Sequence, residues 1–88
     1  MPIVSQFYGI VISTYYNDTE KHHLPHLHAA YGEYSAVYDF EGNCVKGKMP
    51  NKQEKMIVAW IAIHLDELNT LWKLTQKEKQ FFKIEPLK

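Results

Sequence analysis

Two glycine-led dipeptides constrain the fold of this chain more than any other feature. Gly32-Glu33 and Gly42-Asn43 each stand between stretches rich in aromatic and β-branched residues. Both can form the two-residue loop of a β-hairpin, and glycine at the first central position of Gly42-Asn43 suits a type II′ turn. The sequence therefore predicts two consecutive hairpins, with strands over 26–31, 34–40 and 44–48.

These turns also predict which residues face each other across the strands, because a two-residue loop sets the register. The pairs expected on one apolar face are Tyr31–Tyr34, Ala29–Ala36, Leu27–Tyr38 and Phe40–Val45. On the opposite face, His26 is expected across from Asp39, His28 across from Val37, and Lys46 on the far side of Asp39. The histidines are thus predicted on the sheet face away from the core.

The remaining segments complete an α+β prediction. Residues 7–16 are typical of a strand, and the polar residues 17–21 of a loop. Pro50-Asn51 opens a periodic helix. Its apolar stripe, at about 100° per residue, consists of Ile57, Ile61, Leu65, Leu68 and Trp72. We expect a single domain over 1–88, with an antiparallel sheet of three or four strands at about 3–48. One long helix at about 51–74 packs across one face, and a tail follows at 75–88.

A second apolar flank of the helix predicts an interface. Met56, Trp60 and Ile63 lie outside the main stripe, and Phe81 and Phe82 make the C-terminal tail apolar. Apolar surface of this kind usually packs against something besides the helix's own sheet. We therefore expect these five residues to contact a protein partner or a second copy.

Four of the five histidines lie between positions 22 and 28. In a strand, the pair His26 and His28 projects to one face, with Asp39 opposite His26. Three interpretations remain open. The first is a simple His–Asp pair, and the second is a Zn²⁺ or Ni²⁺ site of His26, His28 and Asp39. The third is a hydrolytic, ribonuclease-like site in which these residues act with Tyr15 and Lys46.

Other chemically capable residues are expected to be structural. His22 and His23 are predicted in a solvated loop, and His64 as a buried or half-buried residue at the edge of the helix stripe. Cys44, beside a turn with Glu41 opposite, lacks the electropositive surroundings of a reactive thiol.

Composition limits the classes of partner. The charged residues are ten lysines and ten carboxylates with no arginine, which argues against a dedicated DNA-binding protein and leaves only weak support for RNA. A lone cysteine allows no disulfide within the chain and suits a reducing compartment. With no signal peptide and no apolar run of about 18 residues, the chain is predicted to be cytoplasmic and not membrane-bound.

Several short patterns together resemble a known family. They are F-Y-G-I-V-I, P-H-x-H-A, Y-G-x-Y-x-A-V-x-D, G-K-x-P, W-x-x-x-H-x-x-E-L-x-x-x-W and K-I-E-P-L. Across nearly its whole length, the chain resembles the small bacterial domain-of-unknown-function family 4160. It departs in having one proline before His26 where relatives often have two, and in the extra His22 and His23.

The resemblance implies a partner more than a chemistry. Members of this family have no agreed activity or catalytic residues, and their genes often adjoin those of another uncharacterised family, numbered 2442. Such pairs are commonly described as toxin–antitoxin modules. The expectation is therefore a small interaction protein, one component of a two-gene toxin–antitoxin-like module, whose partner is the neighbouring product or a second copy.

Overall fold

The structure, a computed structural model, describes residues 3–14, 25–77 and 82–87. The strands are β1 (Ile3–Phe7), β2 (Ile10–Ser13), β3 (His26–Tyr31), β4 (Tyr34–Asp39) and β5 (Cys44–Gly47), and the helices are α1 (Asn51–Ile63) and α2 (Leu65–Lys77). The five strands form one antiparallel sheet in the order β1-β2-β3-β4-β5. The predicted α+β class is confirmed, whereas three or four strands and one long helix are too few.

The extra strand arises because the N-terminal stretch turns back on itself. Tyr8 and Gly9 have φ values of 49° and 80°. Two successive positive φ values are those of a two-residue type I′ hairpin turn. Phe7 consequently pairs with Ile10, and the stretch 7–16 contains a turn that the single-strand prediction missed.

The first predicted hairpin is confirmed. Gly32 has a φ of 56° in the turn between β3 and β4. The observed cross-strand pairs are Tyr31–Tyr34, Ala29–Ala36, Leu27–Tyr38, His28–Val37 and His26–Asp39. The turn and the alternation agree on one register, so local chemistry was sufficient to predict it.

The second hairpin uses a three-residue loop instead of the predicted two-residue one. The backbone N–H of Gly42 donates to the Asp39 carbonyl at 3.2 Å, and the N–H of Asp39 donates to the Asn43 carbonyl at 3.0 Å. Gly42 has a φ of 90°. This is a type I turn followed by a left-handed glycine, with aspartate at the first position.

The longer loop shifts every pair between β4 and β5. Lys46 lies opposite Val37, and Cys44 lies opposite Tyr38. The predicted pairing of Lys46 with Asp39 is therefore wrong, as are the pairs of Phe40 with Val45 and of Glu41 with Cys44.

The core lies between one face of the sheet and the two helices. Its fully or nearly fully buried apolar residues include Phe7, Ile10, Ile12, Leu27, Tyr38, Ile57, Trp60, Ile61, Leu68 and Leu71. The rings of Phe7 and Trp60 lie 5.6 Å apart. The Tyr38 hydroxyl donates to Glu54 Oε2 at 2.9 Å, and burial together with this carboxylate raises the pKa of Tyr38 well above its usual value.

The predicted long helix is broken at His64. This residue has φ −109° and ψ 24°, outside the helical range. Its carbonyl accepts the N–H of Leu68 at 2.9 Å, which begins the hydrogen bonding of α2. The apolar stripe therefore changes direction between α1 and α2.

The break removes one predicted core residue. Leu65 is 38% exposed, whereas Leu68 and Leu71 are fully buried. A continuous helix would place Leu65 one turn after Ile61, but the non-helical His64 rotates it outward. The predicted burial of Ile57, Ile61 and Leu68 is confirmed, and Trp72 packs partly buried against the core. Neither helix in the described ranges combines the length and apolar character that crossing a membrane requires.

The described part of the C-terminal tail packs along β1. The N–H of Ile84 donates to the Val4 carbonyl at 2.9 Å, and the Ile84 side chain is buried. The indole Nε1 of Trp60 donates to the Glu85 carbonyl at 2.9 Å. Residues 82–87 are thereby held against the chain's own sheet and helix.

Candidate binding site on the outer sheet face

One row of side chains crosses the outer face of the sheet, opposite the helices. Ser13 pairs with His28, His28 with Val37, and Val37 with Lys46. Directly paired residues of antiparallel strands project to the same side. The row therefore places one hydroxyl, one imidazole and one ammonium group on a single strip that runs from β2 to β5.

This strip lines a shallow depression of about 360 Å³. The side chains that line it include Ser13, His28, Ala30, Ser35, Val37 and Lys46. Most of these side chains are short, which leaves space between the two longer polar side chains, those of His28 and Lys46. Sequence reasoning singled out His28 and Lys46 but missed the serines and Ala30. Strand alternation would have found them, since Ser13, Ala30 and Ser35 follow the same period as the histidines.

The sequence predicts His26 on this outer face, away from the core, but in the structure it is buried. Its side chain is only 3% exposed. Its ring lies 5.1 Å from the ring of Trp72, which in turn lies 6.2 Å from the ring of Phe40. His26 begins β3 and Phe40 follows β4, so both occur at the end of the sheet where Trp72 of α2 covers them. His28, with its ring 5.3 Å from His26, stays half-exposed.

The Asp39 carboxylate accepts hydrogen bonds within the second hairpin turn. Oδ1 accepts the backbone N–H groups of Glu41 and Asn43, each at 2.9 Å, and Oδ2 accepts Asn43 Nδ2 at 3.2 Å. Partial burial works against the charged form. The N–H donors of Asn43, Glu41 and Gly42 outweigh it and lower the pKa of Asp39 below its usual value.

Asp39 should therefore make the free energy of unfolding depend on pH in the acidic range. Because its folded pKa is lowered, its contribution is complete above the unfolded pKa of about 3.9 and is lost as pH falls through the folded pKa. We expect Asp39→Ala to lower the free energy of unfolding at neutral pH and to differ much less from the wild type in strong acid. Urea denaturation across this pH range measures the difference. The Asp39→Asn variant, which retains an acceptor, should have a stability between those of the wild type and Asp39→Ala. If the stability lost in Asp39→Ala did not change with pH, the role given to the Asp39 carboxylate would be contradicted.

The metal hypothesis gains no further ligands from the fold. In the stretches 3–14, 25–77 and 82–87, no three or more His, Cys, Asp or Glu side chains are arranged to hold a metal ion. The Zn²⁺ or Ni²⁺ site of His26, His28 and Asp39 stays a prediction. The further candidates Tyr15, His22 and His23 lie outside the described residues.

The predicted interface residues fall into different environments. Trp60 is fully buried, which corrects its assignment as a surface residue, and Met56 and Phe82 pack partly buried against the core. Trp60 lies within α1 on the same buried side as Ile57 and Ile61, and its large ring fills the core beside Phe7 and the tail. Ile63 is 65% exposed. Phe81 lies outside the described residues.

Two other polar residues have local partners. His64 is half-buried, as predicted, with its ring 5.4 Å from that of Trp60 and its Nδ1 2.6 Å from Glu67 Oε1. Cys44 is exposed on the edge strand β5, and its Sγ lies 3.6 Å from the Lys46 carbonyl.

A comparison with known protein families finds one family model that matches this chain. The model, described as "Domain of unknown function (DUF4160)", matches residues 9–73. The chain belongs to the DUF4160 family. The matched segment runs from the first turn into α2, so the whole outer-face row lies within the DUF4160 domain. No curated protein and no solved structure matches this DUF4160 chain.

Proposed function

We propose that this DUF4160 protein is an interaction protein, one component of a two-gene toxin–antitoxin-like module, and that it binds the product of the neighbouring gene. Support for such a partner comes from the family, whose genes often adjoin those of family 2442. The exposed side chain of Ile63 is the observation that carries the proposal. Among the large apolar residues of the described ranges it has the highest exposed fraction, 65%.

The contact would form around the helix break. Ile63, His64, Glu85, Pro86 and Leu87 line a depression of about 290 Å³, which we call the break patch. It combines the end of α1 with the tail, so both apolar regions singled out by the sequence contribute to it. A small apolar depression with a polar rim can accept one anchoring side chain from a partner.

The expected result is that Ile63→Lys abolishes co-purification with the neighbouring gene product. A charged side chain at the centre of the patch would have to be desolvated without a partner charge. Val45→Lys is the matched control, because Val45 is also exposed, at 53%, but lies on β5. Circular dichroism should show both variants folded. Equal co-purification of the two variants would contradict this surface, and a wild type that does not bind the neighbour would contradict the partner.

Growth and solution size separate the remaining possibilities. If the pair is a toxin–antitoxin module, expression of one member alone slows growth, co-expression restores it, and Ile63→Lys removes the rescue. A wild-type homodimer that Ile63→Lys converts to a monomer would instead make a second copy the occupant of the break patch, and would overturn the neighbour as its partner.

The alternative function is a metal-binding or hydrolytic protein that uses the paired histidines. It would require His26 and His28 to reach one ligand together, and the position of His26 beneath Trp72 favours the interaction proposal over it.

A further inference from the structure

The outer-face depression has the size of a small-molecule site and is independent of the break patch. At about 360 Å³, it lies at the small end of the range for ligand pockets. Part of its surface is formed by small residues, Ala30, Ser35 and Gly47, whose side chains are short or absent. Gly47 has a φ of 89°, and a Cβ at this position would clash with the Ser35 carbonyl, so the backbone itself forms that part of the wall. A compact ligand can therefore approach the sheet closely.

The charges around the depression favour an anion. Lys46 and His28 are its only ionisable lining residues in the described part of the chain, and no carboxylate lines it there. Asp39 is the next carboxylate on β4, and the N–H groups of Glu41 and Asn43 surround its oxygens. The chain as a whole has equal numbers of lysines and carboxylates. Among the described residues, the lining of this depression therefore has a local excess of cationic and donor groups.

The spacing of these groups suits a phosphate. His28 and Lys46 are two strands apart with Val37 between them, so their Cα atoms are about 10 Å apart. The long lysine side chain can lean over Val37 and bring its ammonium group to the same anion as the imidazole. Ser35 is exposed beside them and can donate its hydroxyl. Lysine binds phosphate as a point charge, and hydroxyl donors complete such sites.

We propose that this depression binds a phosphate monoester through Lys46, His28 and Ser35. The phosphate would sit above Val37, and the remainder of the ligand would extend along the short side chains toward Ser13 and Ala30. A free mononucleotide and the 5′ phosphate of an RNA present the same chemistry, and the experiment separates these two sources.

The test follows ¹⁵N-labelled full-length protein during titration with adenosine monophosphate. Saturable shifts are expected at the His28 ring and at the Ser35, Val37 and Lys46 amides, and adenosine without phosphate should cause none. Lys46→Ala should weaken binding by about tenfold or more, because a charge-assisted contact is lost. Lys55→Ala, the matched control, removes the same charge from an exposed residue of α1, on the opposite side of the sheet, and should change affinity much less.

Two outcomes would count against the proposal. Equal losses in Lys46→Ala and Lys55→Ala would show that the binding is non-specific charge attraction, and an absence of saturable shifts would overturn the site. Because Lys46 is exposed on the edge strand β5, the Lys46→Ala variant should fold like the wild type. If the site holds, a short RNA with a 5′ phosphate, compared with the same RNA ending in a hydroxyl, tells whether the phosphate comes from RNA or from a small molecule.

Discussion

Trp60→Ala should lower the free energy of unfolding by about 3–5 kcal/mol. The side chain is fully buried, and its ring packs 5.6 Å from that of Phe7. Its removal leaves a large cavity and also deletes the indole N–H bond to the Glu85 carbonyl. Chemical denaturation followed by far-ultraviolet circular dichroism measures the loss.

The Trp60→Phe variant separates the two contributions. Phenylalanine restores most of the ring but has no N–H donor, so it should destabilise less while still loosening the tail. Hydrogen exchange at the Ile84 amide, which donates to Val4, reports the tail directly and should accelerate in both variants. Loss of only a few tenths of a kcal/mol in Trp60→Ala, a size typical of surface substitutions, would return Trp60 to the interface that the sequence predicted.

Leu68→Ala should cost about 2–5 kcal/mol, whereas Leu65→Ala should cost less than about 1 kcal/mol. Leu68 is fully buried and Leu65 is 38% exposed. The two variants remove the same atoms from the same helix, so their difference isolates burial. Denaturant unfolding of both proteins under one condition gives the comparison.

This pair tests the helix break as well as the core. In a continuous helix over 51–74, Leu65 and Leu68 would share one apolar stripe and both substitutions would be costly. Comparable losses would therefore favour the unbroken helix and contradict the outward rotation at His64. A large loss at Leu65 alone would place the stripe on a different face altogether.

The first hairpin could be predicted because all of its determinants are local. Gly32 supplies the turn, and the alternation from His26 to Asp39 permits only one register with an apolar face. The N-terminal turn was within reach too, since a glycine inside a strand pattern signals a turn or bulge. Tyr8 gave no such signal, because a bulky residue rarely adopts the positive φ that it has here.

The second turn shows where local chemistry becomes ambiguous. Gly42-Asn43 suits a two-residue loop, yet Gly42 equally suits the last position of a three-residue loop that follows Asp39. The bonds from Glu41 and Asn43 to Asp39 favour the second arrangement. Val58 of α1 also comes so close that a Cβ on Gly42 would lie 3.1 Å from it. Contacts from a distant helix cannot be read from the hairpin's own residues.

The sequence by itself determined the α+β class, the family and the pairing of His26 with Asp39, because alternation, turn residues and motif spacing act over short distances. Only the tertiary structure decided which apolar residues face inward. The break at His64 turns Leu65 out, Trp60 fills the space between Phe7 and the tail, and α2 then brings Trp72 over His26. These outcomes depend on how separate elements fill one shared core, and packing of that kind is a property of the whole fold.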